Sequence, residues 1–192
     1  MKNIAIFASG SGTNAEQLFE KFRHHPRGRV VLLLTNNPRA GALVRAKKFN
    51  VSAHLFSKED LRSVDPVLQV LQEHDVDLIV LAGFLLKVPK RMIQAFPDRI
   101  VNIHPALLPA YGGKGMYGAR VHEAVVAAGE PETGISIHYV NEHYDEGRLI
   151  RQARCPVAPD DTPDDVAAKV HQLEHKHYPE VVEELVRALA KD

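Results

Sequence analysis

Asn3-Ile4-Ala5-Ile6-Phe7-Ala8 runs almost directly into Gly10-Ser11-Gly12-Thr13-Asn14-Ala15. From Ile4 the first segment is continuously apolar, the pattern of a strand covered on both faces. The second is a glycine-rich loop that opens a helix over Thr13 to His25. A second apolar run, Val30 to Thr35, and a second amphipathic stretch, Ala42 to Phe49, complete a βαβα start. Strands that alternate with helices call for a mostly parallel sheet, with ligands at the carboxyl ends of its strands.

The same alternation continues downstream. Lys58 to His74 reads as one long helix capped by Ser57, and Asp77 to Ala82 as a strand ending at Gly83-Phe84. Pro89 to Ala95 reads as a short helix, Ile100 to Ile103 as a strand, and Tyr117 to Ala128 as a helix. Gly134 to Val140 and Arg148 to Val157 form an antiparallel pair, and Pro163 to Ala190 is the closing helix. No repeat, low-complexity run or interdomain linker interrupts this order, so residues 1–192 are expected to form one α/β domain.

Composition narrows the function classes. With 45% hydrophobic and 25% charged residues, the 192-residue chain can bury one sizeable core. Lys plus Arg (24) equal Asp plus Glu (24), so bulk charge offers no nucleic-acid tail and any anion must be held locally. Cys155 stands alone, which excludes an intrachain disulfide; within Arg154-Cys155-Pro156-Val157 it reads as a small strand hydrophobe. The first apolar run is too short for a secretory signal or a membrane span, and a cytoplasmic location is expected. No metal site is expected either. His24-His25 and the His171, His175, His177 group lack a convincing ligand set, although His171 and His175 are four apart on one helix.

The glycine-rich loop formally fits the dinucleotide fingerprint, because glycines admit a phosphate to the backbone while the helix N-terminus offers free N–H groups. A nicotinamide site also needs an acid about twenty residues on, at the end of the second strand, for the ribose. Here that strand ends Leu34-Thr35-Asn36-Asn37, so a phosphomonoester fits better than a dinucleotide. The alternative is a tight strand-to-helix turn whose glycines merely satisfy geometry.

Further along, Asn102-Ile103-His104 ends an apolar strand, and strand alternation puts Asn102 and His104 on one side. An Asn amide can donate to a developing oxyanion, and His exchanges a proton near neutral pH. Asp145, in Tyr144-Asp145-Glu146-Gly147, follows a strand that would run near the first, where its carboxylate would raise the pKa of His104. Taken singly, the alternatives are a capping Asn, a turn His and an Asx turn. Together the three point to acyl-type transfer.

Leu81-Ala82-Gly83-Phe84, Asn102-Ile103-His104-Pro105-Ala106-Leu107-Leu108-Pro109, and Gly134-Ile135-Ser136-Ile137-His138-Tyr139-Val140 leading to Asp145-Glu146-Gly147 resemble the folate-dependent formyltransferases. With Gly10-Ser11-Gly12-Thr13-Asn14, the resemblance covers nearly the whole chain. It implies a Rossmann-like fold and transfer of a formyl group from 10-formyltetrahydrofolate to the amine of glycinamide ribonucleotide, on the route to purines. It further implies that Gly12, Thr13 and Asn14 hold the nucleotide phosphate and adjoining sugar, with His171 and Glu174 reaching the nucleotide from the last helix. Leu85, Leu86, Lys87 and Val88 would line the folate pocket, and Asn141, Glu142, His143, Tyr144 and Asp145 would close it from the other side. Asn102, His104 and Asp145 match the family's catalytic types, Asn102 also facing folate, and Lys58 is the candidate basic contact to folate.

The resemblance implies two small-molecule substrates, no metal, no nucleic acid, no membrane, and a monomer or homodimer. The stretch Tyr111-Gly112-Gly113-Lys114-Gly115-Met116-Tyr117-Gly118 is longer than the corresponding family turn, and Lys114 there could reach an anion. Competing readings are a formyltransferase for methionyl-tRNA or an amino sugar nucleotide, a deformylase, and a non-catalytic nucleotide or folate binder. Chain length argues against the tRNA enzyme and the deformylase, which usually carry a further domain.

Overall fold

The computed structural model describes residues 1–190. In chain order the elements are β1 (Lys2–Phe7), α1 (Thr13–Phe22), β2 (Gly28–Thr35), α2 (Gly41–Lys48), β3 (Ser52–Leu55), α3 (Lys58–Ser63), α4 (Asp65–Glu73), β4 (Val76–Leu81), α5 (Lys90–Ala95), β5 (Ile100–His104), α6 (Ala119–Ala127), β6 (Glu132–Tyr139), β7 (Leu149–Pro156) and α7 (Pro163–Leu189). The seven strands form one sheet in the order β3-β2-β1-β4-β5-β6-β7. Pairs from β3 through β5 are parallel, while β5–β6 and β6–β7 are antiparallel.

Alternation in β1 explains the layers. Ile4, Ile6 and Ala8 join one core with Leu18 and Phe22 of α1, Val121 and Val125 of α6, and Val170, Val182 and Val186 of α7. Ala5 and Phe7 point the other way, into a core with Leu61 of α3, Val67 and Leu71 of α4 and Met92 of α5. A strand buried on both faces therefore reads as a continuous apolar run, the feature visible in the sequence.

Two elements differ from the expected reading. Lys58 to His74 is two helices, broken at Val64 (φ 67°), because Pro66 sits in the first turn of α4 and cannot continue the preceding helix. The edge strand β3 was not anticipated. Its four residues are mostly exposed and lack an apolar run, and the strand is defined by pairing with Leu32–Thr35 of β2.

The closing helix is anchored at both levels of the fold. Thr162 and Asp165 form a capping box, and Pro163 occupies the first turn. Deeper in the same helix, fully buried Tyr178 donates its hydroxyl to the carbonyls of Leu81 (2.8 Å) and Val101 (3.3 Å), on neighbouring strands β4 and β5. Burial holds the Tyr178 hydroxyl well above its ordinary pKa, so it stays a donor. Tyr178→Phe keeps the packing and leaves those carbonyls without the hydroxyl, and is expected to cost about 1–3 kcal/mol. Urea unfolding measures this as a lowered midpoint at unchanged slope.

Candidate active site

A cavity of about 510 Å³ opens at the carboxyl ends of β1, β4 and β5, well within the size range of small-molecule sites. Its wall begins at the β1–α1 loop. Gly12 has φ +77°, and a Cβ there would lie 2.6 Å from the Ala42 backbone, so both conformation and space demand glycine. Thr13 and Asn14 open α1 and present its first-turn N–H groups to the cavity.

The end of β2 braces this loop. Ser9 Oγ donates to Asn36 Oδ1 (2.7 Å), and Asn37 Nδ2 donates to the Ser9 carbonyl (3.0 Å). The positions that would carry a ribose-binding acid in a dinucleotide site are thus two amides committed to Ser9. From α7, Glu174 accepts a hydrogen bond from Asn14 Nδ2 (2.8 Å) and is 5% exposed. Burial raises the Glu174 pKa; the Asn14 bond and neighbouring His171 offset only part of that shift.

The opposite wall holds the polar cluster. Antiparallel register sets Asn102 of β5 across from His138 of β6, and His104 across from Ser136. The Asn102 amide lies 3.2 Å from His138 Nε2, while His138 Nδ1 lies 2.9 Å from the Tyr139 carbonyl. Since a carbonyl can only accept, neutral His138 carries its proton on Nδ1 and accepts from Asn102 at Nε2, leaving the second Asn102 N–H free. His104 is fixed in the opposite sense. Its Nε2 donates to the Tyr111 carbonyl (2.7 Å), so Nδ1 faces Asp145 Oδ2 at 3.6 Å. Asp145 Oδ2 also accepts from the Gly113 N–H (2.9 Å), and Oδ1 lies 3.7 Å from His138 Nε2.

Charge in this cluster departs from one expectation. The His104 pKa lies below its ordinary value, not above it: burial disfavours the cation, the nearby His138 adds to this, and the opposing pull of Asp145 and the Tyr111 carbonyl is weaker. Burial alone would raise Asp145, but the nearby imidazoles of His138 and His104 and the hydrogen bond from the Gly113 N–H together hold it below its ordinary value. His104 is therefore mostly neutral near pH 7, and Asp145 is ionised. Asp145→Asn removes the charge that favours imidazolium, so the His104 pKa should fall further. An NMR titration checks this, and an unchanged pKa would mean no electrostatic coupling across the 3.6 Å gap.

Of the residues singled out in the sequence, Gly12, Thr13, Asn14, Leu85, Leu86, Lys87, Val88, Asn102, His104, Asn141, His143, Tyr144, Asp145, His171 and Glu174 all line this cavity. Lys58 does not. It is an exposed residue at the start of α3, away from the lining. Glu142 is also outside the lining, its carboxylate paired with Lys90 at 3.0 Å. That pair, with Lys87 Nζ 5.5 Å from the Tyr144 ring centroid, ties the segment after β4 to the segment after β6.

Sequence reasoning missed His138 and His122, both buried and both in the cavity wall. For His138 a signal existed: it alternates with Ser136 on β6 as Asn102 does with His104 on β5. The Gly113–Gly118 stretch, including Lys114, also lines the cavity. Among the described residues, no group of three or more His, Cys, Asp or Glu is placed to hold a metal ion, and no helix is long and apolar enough to cross a membrane.

A free amide N–H, an imidazole with a lone pair turned toward an ionised carboxylate, and an anion cradle on the same cavity provide for a developing oxyanion, a migrating proton and a phosphorylated substrate. Such a set of groups is suited to acyl-type group transfer. The chain belongs to the formyl transferase family, whose pattern matches residues 2–182. It is 43% identical over 187 residues to the chloroplastic phosphoribosylglycinamide formyltransferase of Arabidopsis thaliana, covering 94% of this chain but 64% of that protein. The chain thus spans slightly under two thirds of the plant relative. To the phosphoribosylglycinamide formyltransferase of Bacillus subtilis it is 32% identical over 191 residues, covering 97% of this chain and 95% of the other. The crystal structure of phosphoribosylglycinamide formyltransferase from Anaplasma phagocytophilum superposes with a TM-score of 0.89 at 31% identity, covering 97% of this chain and 87% of that one.

Proposed function

We propose that the chain transfers the formyl group of 10-formyltetrahydrofolate to the amine of glycinamide ribonucleotide, giving formylglycinamide ribonucleotide and tetrahydrofolate in the de novo route to purines. The observation that carries the reading is the Asn102–His104–Asp145 cluster on the same cavity as the α1 N-terminus. Gly12, Thr13 and Asn14 receive the phosphate and adjoining sugar, and Glu174 and His171 meet the ribonucleotide from α7. Leu85, Leu86, Lys87 and Val88, together with Asn141, His143 and Tyr144, enclose the folate. Residues 1–192 act as one catalytic domain in the cytoplasm, as a monomer or homodimer, with residues 191 and 192 outside those described.

In this reaction the neutral substrate amine attacks the formyl carbon. The carbonyl oxygen gains negative charge and is met by the free N–H of Asn102. The attacking nitrogen must lose a proton and the departing folate nitrogen must gain one. His104 Nδ1 is the carrier: it is left unprotonated because the ring hydrogen on Nε2 is committed to Tyr111, and the cation formed is balanced by Asp145. A neutral resting His104 suits that role, since a proton can be taken up only by the base form.

The test is the absorbance change on release of tetrahydrofolate product. Turnover is expected with glycinamide ribonucleotide and none with methionyl-tRNA, and calorimetry with NAD or NADP should show no saturable binding. Affinity for both substrates without turnover would make the chain a binder and overturn the reading.

A further inference from the structure

Tyr111 and Glu130 lie outside the large cavity, on a separate cleft of about 100 Å³. Tyr111 nevertheless reaches the site through its backbone: its carbonyl is the acceptor that holds His104 Nε2–H at 2.7 Å. It delivers that carbonyl from φ +56°, a left-handed conformation that few non-glycine residues adopt. The Tyr111 side chain runs outward, its hydroxyl donating to Glu130 Oε1 at 2.6 Å. Glu130 lies between α6 and β6, and its own backbone N–H is held by the Val125 carbonyl of α6. Two residues after Tyr111, Gly113 donates to Asp145. One short segment therefore sets both the tautomer of His104 and the placement of the carboxylate beside it.

We propose that Tyr111 and Glu130 are a positioning pair for the transfer reaction: their hydrogen bond holds residue 111 in its strained conformation, and so keeps His104 as the Nε2–H tautomer with Nδ1 unprotonated beside Asp145. The alternative tautomer would put a hydrogen on Nδ1 and leave no base for the substrate proton. Glu130 also holds the Tyr111 hydroxyl above its ordinary pKa, so the donor persists across the working pH range. The catalytic part of this inference rests on the proposed formyl transfer, whereas the tautomer can be read without any substrate.

The experiment compares Tyr111→Phe, Glu130→Ala, the double variant and Glu130→Gln. Long-range nitrogen–proton NMR of the His104 ring should show one Nε2–H tautomer in the wild type and in Glu130→Gln, whose amide oxygen still accepts. Tyr111→Phe and Glu130→Ala should each show a mixture and lose about five- to tenfold in kcat, the scale of one hydrogen bond, with KM for both substrates nearly unchanged. The double variant should be no worse than either single one, since both remove the same bond. A wild-type tautomer in Tyr111→Phe overturns the proposal, and so does a lowered Tm with the tautomer and kcat intact. If the wild-type chain does not transfer formyl groups, the proposed function fails while the tautomer spectra still decide the positioning claim.

Discussion

His104→Ala is expected to lower kcat by about a hundredfold or more, with a much smaller change in the affinity for either proposed substrate. The residue is 3% exposed and its ring is held through Nε2 by a backbone carbonyl, so its contribution is to present Nδ1 rather than to bury substrate surface. Without it the proton released by the attacking amine has no carrier beside Asp145, and the carboxylate loses the cation that would balance it in the transition state. Asn102→Ala removes the oxyanion donor and should fall in the same range, because one such donor is worth about a hundredfold or more. The double variant should lose less than the product of the two, since both groups act on one transition state. Steady-state kinetics with each substrate varied in turn checks this. A kcat within about twofold of wild type in His104→Ala would remove His104 from the mechanism.

Gly147→Ala is expected to damage both stability and turnover, although Gly147 is not among the residues that line the cavity. An added Cβ would overlap the Tyr139 carbonyl oxygen and lie 2.7 Å from the carbonyl carbon, so the backbone itself must shift. That carbonyl is the acceptor for His138 Nδ1–H, and Asp145 is two residues before the glycine. Overpacking of this kind costs about 3 kcal/mol, or roughly 6–12 °C in Tm for a domain of this size. Displacement of His138 and Asp145 should reduce kcat by about tenfold or more. Gly10→Ala is the control for stability, because a Cβ there meets nothing within 4 Å and its φ is ordinary. Melting curves that coincide for Gly147→Ala and wild type would contradict the close approach.

Much of the architecture was legible because β1 is buried on both faces and α1 follows a glycine-rich loop, features encoded within a dozen residues. The helix break at Val64 was legible in principle from Pro66, yet the helical pattern on either side concealed it. Strand β3 carries almost no local signal, its formation depending on hydrogen bonds to β2 rather than on apolar burial. In the site, Asn102 and His104 were recognisable from alternation along one strand. His138 required the β5–β6 register, and the Tyr111 carbonyl required a left-handed residue in a loop. Asp145 raises the His104 pKa as its motif suggests, but the net direction was not legible for a similar reason. A carboxylate neighbour can be guessed from motifs, but the burial that outweighs it is a property of the assembled core.

The placement of α7 also bears on when the cavity is completed during synthesis. Glu174 completes the cradle at Asn14, and one turn later Tyr178 joins the ends of β4 and β5. Asn14 and Glu174 are separated by 160 residues. At about 5–20 residues per second the ribosome needs on the order of ten to thirty seconds to bridge that interval. By its end the parallel strands have been made while one wall of the cavity does not yet exist. Nascent chains halted before α7 emerges should therefore neither retain glycinamide ribonucleotide nor protect β4 and β5 from proteolysis, and catalytic competence should arrive abruptly with the final helix.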